Sequence, residues 1–486
     1  MNEEIRNLEP KLLWNKFADL NAVPRPSKKE ERVTEFIKKF GKDLGLEVLQ
    51  DKKGNVVIKK PATAKHTDKK KIVLQAHVDM VHQKNNATDF DFETQGIDMY
   101  VDGDWVRAKG TTLGADNGLG VAAMMAVLES NDIEHPAIEA LFTVDEEAGM
   151  TGAKDLDESI LEGEILLNLD TEEDDEIGIG CAGGVDLSAK RSYKEKEVDS
   201  DATAYKVSVT GLNGGHSGMD IIKGLGNANK LMNRVLFHLS RESGMQIAKL
   251  NGGGLRNAIP RESVAEIVVN NYKTEALKTE FNYIKEAILS EYKSLEKNLE
   301  ISLEKIEKPE KVMQTEDQTA VLKAIYAAHN GVYRMSPDIE GLVETSNNIA
   351  RVEIENGKVE VACLTRSSVE SNKWDLTNSL SAGFEMGGFD VELSGEYPGW
   401  TPNPDSEILK VLDKLYEKQT NEKANIAACH AGLECGIIGS HYPKMDMISF
   451  GPTIRGAHSP DERASISSSQ KFWDFFMEVL KNIPKK

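Results

Sequence analysis

Two histidines and a set of acids carry the strongest chemical signal in this chain. His77 and Asp79 lie in Gln75-Ala-His77-Val-Asp79, and Asp116 lies in Gly114-Ala-Asp116-Asn117-Gly118. Glu146 and Glu147 follow Asp145, Asp170 sits in Asn168-Leu-Asp170-Thr171, and His458 sits in Gly456-Ala-His458-Ser459-Pro460. In an extended chain alternate residues share a side, so His77 and Asp79 point the same way. The imidazole can then bind a metal while the carboxylate behind it sets the tautomer. Asp116 stands between a strand-like and a helix-like run with glycines on either side. There it reads either as a helix N-cap or as a carboxylate bridging two cations. The acids Asp145 to Glu147 close a strand. They read as a solvated acidic turn, or as a metal ligand beside a general base for metal-assisted hydrolysis. Asp170 and His458 say little singly. Taken together, two imidazoles and three carboxylates, one of them shared, form the donor set of a two-metal hydrolase. Mixed N/O donors suit Zn2+, Co2+ or Mn2+ better than Mg2+, and no thiolate is implicated.

The elements that must position these groups are visible in the apolar pattern. Four of the blocks follow apolar runs, so their side chains emerge where strands end, which is where α/β folds place chemistry. Strands are expected over 71–76, 138–144 and 164–169, with a small-residue helix over 118–129, implying a sheet covered on both faces. After Asp170 the texture becomes acidic, then glycine-rich over 178–184, then charged over 190–201. A domain boundary is placed near Gly183, and the expected division is 1–183, 184–398 and 399–486. The middle segment alternates strands (205–210, 263–269, 359–364) with helices (226–239, 275–289, 317–329) in an order that repeats, suggesting two similar subdomains. The turn-rich stretch 397–404 leads into helices over 405–417 and 467–481 and a strand over 446–450. His458 lies in this last part, so the C-terminal segment must return to the first domain, and the middle domain is an insertion.

Composition narrows the class. The chain has 486 residues, 40% of them hydrophobic, enough for more than one domain with its own core. A formal charge of −21 repels nucleic acid and anionic lipid. The N-terminus lacks the apolar segment of a signal peptide, and the stretch 121–128 is too short to span a bilayer. The 4 cysteines show no C-x-x-C spacing. The expectation is a soluble cytoplasmic protein with reduced thiols and no nucleic-acid or membrane partner.

In this order the blocks resemble the M20 metallopeptidase family, and within it the aminoacyl-histidine dipeptidase branch, across essentially the whole chain. The most specific stretches are 75–84, 110–120, 143–152, 168–184, 430–436 and 449–463. The resemblance implies an α/β fold: a mixed-sheet di-metal exopeptidase catalytic domain with a large inserted α+β lid. It assigns His77, Asp116 and Asp170 to one metal and Asp116, Glu147 and His458 to the other, with zinc the first choice. Asp79 would orient His77, and Glu146 would be the general base. In the lid, His216 of Asn213-Gly-Gly-His216 would assist the oxyanion. Asn257, Arg366 and Gly432 would hold the substrate's C-terminal carboxylate, for which an arginine fork is well shaped. The implied activity is hydrolysis of dipeptides of broad sequence, including Xaa-His and β-alanyl-histidine. An aminoacylase or carboxypeptidase of the same family is the alternative. A non-catalytic peptide-binding relative is disfavoured by the presence of Glu146, and a single-iron oxygenase by the surplus of carboxylates. Small dipeptides are the expected partners, and a homodimer is compatible with the pattern.

Overall fold

Runs of β-branched and large apolar residues build the floor of the first of two units. In the computed structural model, which describes residues 2–486, this unit comprises Met1–Gly180, Pro402–Ala428 and Leu433–Lys486. Its main sheet has eight strands: β1 (Glu47–Gln50), β2 (Val56–Lys60), β3 (Ile72–His77), β4 (Ile138–Thr143), β5 (Ile165–Asn168), β6 (Glu176–Cys181), β7 (Asn425–Cys429) and β8 (Asp446–Ser449). Their order is β1-β2-β4-β3-β5-β8-β6-β7. β4, β3, β5 and β8 run parallel, while β2 and β6 flank them antiparallel. Every residue of β3, β4 and β5 is buried, as expected of strands covered on both faces.

One cover is the helix Ala115–Glu129, buried along almost its whole length, which packs on β3 and on the helix Lys11–Asn21. Its small residues permit a close approach: a Cβ on Gly120 would lie 2.8 Å from the Leu169 carbonyl oxygen. The C-terminal helix Ile466–Asn482 brings Phe472, Phe475 and Phe476 onto Phe450, just past the end of β8.

Because β4, β3, β5 and β8 run the same way, their carboxyl ends share one edge of the sheet. In register, His77 stands beside Thr143, and Gln75, Asn168 and Ser449 form a row. The segments leaving these ends carry Asp79, Glu146, Glu147 and Asp170. A second sheet of four strands, ordered Ile454–Arg455, Arg463–Ser465, Trp105–Ala108, Met99–Asp102, holds the His458 loop between its first two strands.

Two buried ionic side chains fasten these segments together. Arg25, 1% exposed, donates to the carbonyls of Val78 (3.1 Å), Asp79 (3.2 Å) and Gly114 (2.6 Å) and to Asn21 Oδ1 (2.9 Å). Burial lowers its guanidinium to about 10, against the pull of Glu462 and Asp79, so it stays charged at neutral pH. Glu462 accepts from the backbone N–H groups of Leu113 (2.7 Å), Gly114 (2.9 Å), Ala115 (2.7 Å) and Asp116 (3.3 Å). The Asp116 segment is thus held from one side by a cation on its carbonyl and from the other by an anion on its amides.

The second unit, Cys181–Thr401 with Cys429–Gly432, is built on one nine-stranded sheet. Its order is Glu300–Ile306, Ala202–Thr210, Ser263–Asn270, Gln246–Gly253, Val343–Glu355, Lys358–Ser367, Gly183–Ser192, Asp390–Tyr397, with Gly331–Met335 also paired to Val343–Glu355. The two subdomains suggested by the repeated strand–helix order share this sheet. They also share one apolar core, to which the helices Ala228–Glu242, Thr274–Tyr292, Thr315–Ala327 and Glu370–Met386 all contribute. The charged run after Lys190 completes the strand Gly183–Ser192 and forms the short strand Glu195–Glu197. Among the described residues, no helix is long and apolar enough to cross a membrane.

Arg25→Met leaves three carbonyls and the Glu462 carboxylate without their buried cation. The expected cost is about 3–5 kcal/mol, the usual result of removing one partner from buried charge. Denaturant unfolding followed by tryptophan fluorescence measures it. A loss below about 1 kcal/mol would show that the fold does not depend on this cation.

Candidate metal centre and active site

The end of β3 and the turn after it set the first imidazole. His77 is 1% exposed, and its Nδ1 lies 3.3 Å from Asp79 Oδ1. On the other side of the ring, Nε2 lies 3.1 Å from Asp116 Oδ1 and 3.5 Å from Asp170 Oδ1. The second imidazole, His458, stands at φ 64 in its loop, a left-handed conformation uncommon for a residue with a side chain. Its Nε2 lies 3.2 Å from Asp116 Oδ2 and 3.0 Å from Glu147 Oε2. Asp116 therefore presents one carboxylate oxygen to each histidine. The peptide bond that follows it, to Asn117, is cis, and the Asn117 amide donates to Asp170 Oδ1.

Asp79 does more than face His77. Wholly buried, it accepts from Ser27 Oγ (2.8 Å) and from the backbone N–H groups of Glu146 (3.0 Å) and Glu147 (3.2 Å). One carboxylate thus orients the imidazole and the turn that carries the two glutamates.

The donors are spaced as a cation requires. His77, Asp116 and Asp170 form one group and Asp116, Glu147 and His458 another, each with ligand atoms within 4.8 Å of one another. His77, Glu146 and Glu147 form a third. Among the described residues, the buried Glu147 Oε1 has no hydrogen-bond partner, an acceptor that a cation would satisfy. The oxygen-and-imidazole chemistry fits two divalent ions sharing Asp116. A further acidic group, Glu30, Asp79 and Asp145, already has a cation: Lys28 Nζ lies 2.7 Å from Asp145 Oδ2.

Electrostatics bear the same mark. Burial holds the Glu146 carboxyl well above the ordinary range, and the charges of Asp170, Glu434 and Glu147 push it further. Burial likewise raises Asp170 and Glu147. Burial opposes ionisation of Asp116 too, but hydrogen bonds from His458 and His77 overcome it and hold this carboxyl low. Hydrogen bonds to Asp116 and Glu147 push His458 up to about 11. These shifts share one cause: so many carboxylates cannot stand together uncompensated.

Beneath this cluster runs a buried polar row. Glu434, pushed up to about 8 by burial, accepts from Thr143 Oγ1 (2.6 Å) and Gln75 Nε2 (2.7 Å). Gln75 accepts from Asn168 (2.6 Å), Asn168 accepts from Ser449 (2.5 Å), and Ser449 shares a hydrogen bond with Thr171 (2.7 Å). The row ties together the ends of β4, β3, β5 and β8.

The remaining residues singled out by the sequence lie in the second unit. His216 Nδ1 accepts from the N–H groups of Gly218 (3.2 Å) and Met219 (3.0 Å), which leaves the proton of a neutral ring on Nε2. Burial, with the charge of Arg366, keeps that ring neutral by lowering its pKa. Asn257 is exposed, in the turn just before the short strand Ala258–Ile259 that pairs with Gly215–His216, and its carbonyl accepts from Ser217 N–H at 2.7 Å. Arg366, 5% exposed, donates from Nη1 to the Tyr397 hydroxyl at 2.7 Å, and its buried Nε has no hydrogen-bond partner among the described residues. Gly432 is half-buried and follows His430, whose Nε2 meets Ser346 Oγ at 2.8 Å. Arg25, Glu434 and Glu462, which hold the cluster in place, escaped the sequence reading. Glu434 and Glu462 lie in the stretches 430–436 and 449–463 that carry the resemblance, where Gly432 and His458 drew the roles.

The chain matches the sequence model of peptidase family M20/M25/M40 over residues 73–482. It is 42% identical over 483 residues to the cytosol non-specific dipeptidase of Escherichia coli (strain K12), covering 99% of this chain and 100% of that protein. The crystal structure of aminoacylhistidine dipeptidase from Vibrio alginolyticus is similar with a TM-score of 0.95 and 44% identity, covering 100% of this chain and 99% of that one. Aminopeptidase PepT from Bacillus cereus has the same fold at 16% identity, with a TM-score of 0.57 over 98% of this chain and 99% of that one. The strand-end cluster of imidazoles and carboxylates accordingly sits in a chain that belongs to peptidase family M20/M25/M40.

Proposed function

We propose that this protein is a cytoplasmic metal-dependent dipeptidase of broad specificity that accepts Xaa-His substrates. The observation that carries the reading is Asp116, with one oxygen 3.1 Å from His77 and the other 3.2 Å from His458. The full-length similarity to a cytosol non-specific dipeptidase and to an aminoacylhistidine dipeptidase supports the substrate class. His77, Asp116 and Asp170 would hold one divalent ion and Asp116, Glu147 and His458 the other, zinc being the best match to this donor set. When bound, the ions acidify the attacking water and offset charge growing on the carbonyl oxygen.

The chain's own groups do the rest. Glu146 takes the proton of the attacking water as its oxygen bonds to the scissile carbonyl carbon. It then delivers that proton to the amine nitrogen as the C–N bond breaks. Its raised proton affinity suits a group that must both accept and return a proton near neutral pH. Asp79 keeps the His77 ring and the Glu146 turn in one orientation. His216, with its proton on Nε2, is a neutral donor for the carbonyl oxygen as it gains charge. Arg366 offers its guanidinium, and Asn257 and Gly432 neutral donors, to the substrate's terminal carboxylate. A carboxylate clamp placed one residue beyond the scissile bond would admit two residues and exclude longer peptides.

The substrate range tests this directly. Metal-loaded protein should cleave Ala-His and β-Ala-His and leave Ala-Ala-His and N-acetyl-Ala-His intact. Glu146→Gln should lower kcat by about 10²–10⁴-fold, the usual worth of a general base. Efficient cleavage of the tripeptide or the acetylated peptide would overturn the dipeptidase reading. Calorimetry adds an independent check. Zn2+ should bind with a stoichiometry of two and release protons, with affinity falling as pH is lowered, because the donors must deprotonate to bind. A stoichiometry of one, or heat independent of the buffer's ionisation enthalpy, would contradict the shared-Asp116 arrangement.

A further inference from the structure

The glycines that mark a boundary in the sequence and the turn-rich stretch that begins at Tyr397 meet in the sheet of the second unit. In register across four strands, Ser346, Arg366, Gly184 and Tyr397 form one row, so their side chains share a face. Gly184 leaves that row open in the middle: a Cβ there would lie 2.8 Å from Cε1, Cζ and the hydroxyl oxygen of Tyr397. Across the gap, Arg366 Nη1 donates to the Tyr397 hydroxyl at 2.7 Å. Burial raises the phenol above its ordinary range, so at neutral pH it is uncharged.

Tyr397 is itself anchored. Its carbonyl accepts from Lys373 Nζ at 2.9 Å, and this wholly buried lysine also pairs with Glu396 at 2.7 Å and Glu370 at 2.8 Å. A Cβ on Gly183 would lie 2.6 Å from the same carbonyl oxygen, so the backbone here is tightly confined as well. Arg366 has little else to fix it. It is 5% exposed, its buried Nε has no hydrogen-bond partner, and among the described residues it forms no ion pair. Asp186 lies two residues along the neighbouring strand from Gly184 and pairs instead with Arg256 Nε at 3.3 Å. At the other end of the row, Ser346 Oγ meets His430 Nε2 at 2.8 Å, two residues before Gly432. The row therefore joins Arg366 to the segment that carries Gly432.

We propose that Tyr397 is a positioning residue, its hydroxyl aiming the Arg366 guanidinium at the substrate's terminal carboxylate. The inference rests on the dipeptidase reading and its carboxylate clamp. A guanidinium binds a carboxylate through a planar fork, and that fork loses affinity when it turns out of plane. One hydrogen bond to an anchored phenol sets the plane before substrate arrives, while the remaining donors stay free for the carboxylate.

Tyr397→Phe removes the hydroxyl and keeps the ring. Zinc-loaded wild-type protein, Tyr397→Phe, Arg366→Met and the double variant are assayed on Ala-His, with thermal melting as the check on folding. Tyr397→Phe should raise KM about 10-fold with kcat little changed, the worth of one hydrogen bond acting on binding alone. In the Arg366→Met background it should change kcat/KM no further, because the group it aims is gone. An unchanged KM would overturn the proposal. So would the same loss of kcat/KM in both backgrounds, or a fall in kcat and melting temperature at constant KM, since each would mean a merely structural role. If the Arg366 variants do not fold, the split between KM and kcat in Tyr397→Phe decides alone. Arg366→Met that folds and keeps the wild-type KM would remove the clamp, and this inference with it. Zinc-bound wild-type protein that leaves Ala-His uncut would remove the dipeptidase reading itself. Both results are distinct from a failure at Tyr397.

Discussion

Like charge at close range is the constraint around which the first unit is organised. Asp79, Asp116, Glu146, Glu147 and Asp170 converge on His77 and His458 where four parallel strands end. No arrangement of apolar residues favours that, and in a medium of low polarity such charges repel strongly. The cluster persists because every one of these carboxylates except Glu146 has a specific partner: an imidazole, a backbone amide, a hydroxyl or, as proposed, a divalent ion. The shifts of Glu146, Asp170 and Glu147 toward the protonated form and of His458 toward the imidazolium are two sides of the same imbalance. Cations would relieve both at once.

What keeps these groups in place is mostly uncharged or remote from the chemistry. The parallel strands bring Gln75, Asn168 and Ser449 into register, and the hydrogen-bonded row through them to Glu434 and Thr171 stops the strand ends from sliding. Arg25 then ties the His77 turn to the Asp116 turn through carbonyls, and Glu462 ties the Asp116 turn to the far end of the His458 loop through amides. Positioning of this kind is what metal sites require, since ligands held loosely lose affinity and geometry together. Within the second unit, His216 and the largely buried Arg366 each have their orientation set by hydrogen bonds of their own.

The legibility of these features from the sequence followed physical lines. The strands ending at His77, Thr143 and Asn168 were readable because a fully buried strand is a continuous apolar run. The helix Ala115–Glu129 was readable because its small residues have no other use in such density. The acids and imidazoles were readable because polar residues immediately after such runs are conspicuous. Arg25, Glu434 and Glu462 were not, since their partners are backbone groups or residues far along the chain, and nothing local separates a buried Arg from a solvated one. The single nine-stranded sheet of the second unit was also hidden. Its outer strand Asp390–Tyr397 is mostly exposed and has no clear alternation, and the strand Gly183–Ser192 begins in glycines that read as a domain boundary.

The account depends most on Asp116 bridging a pair of ions, and anomalous diffraction from zinc-soaked crystals tests that most directly. Data collected on either side of the zinc absorption edge should show two peaks flanking the Asp116 carboxylate, roughly 3.5–4 Å apart as in other two-metal sites. One peak should fall beside His77 and Asp170 and the other beside Glu147 and His458. A single peak, or a second peak away from Asp116, would contradict the account.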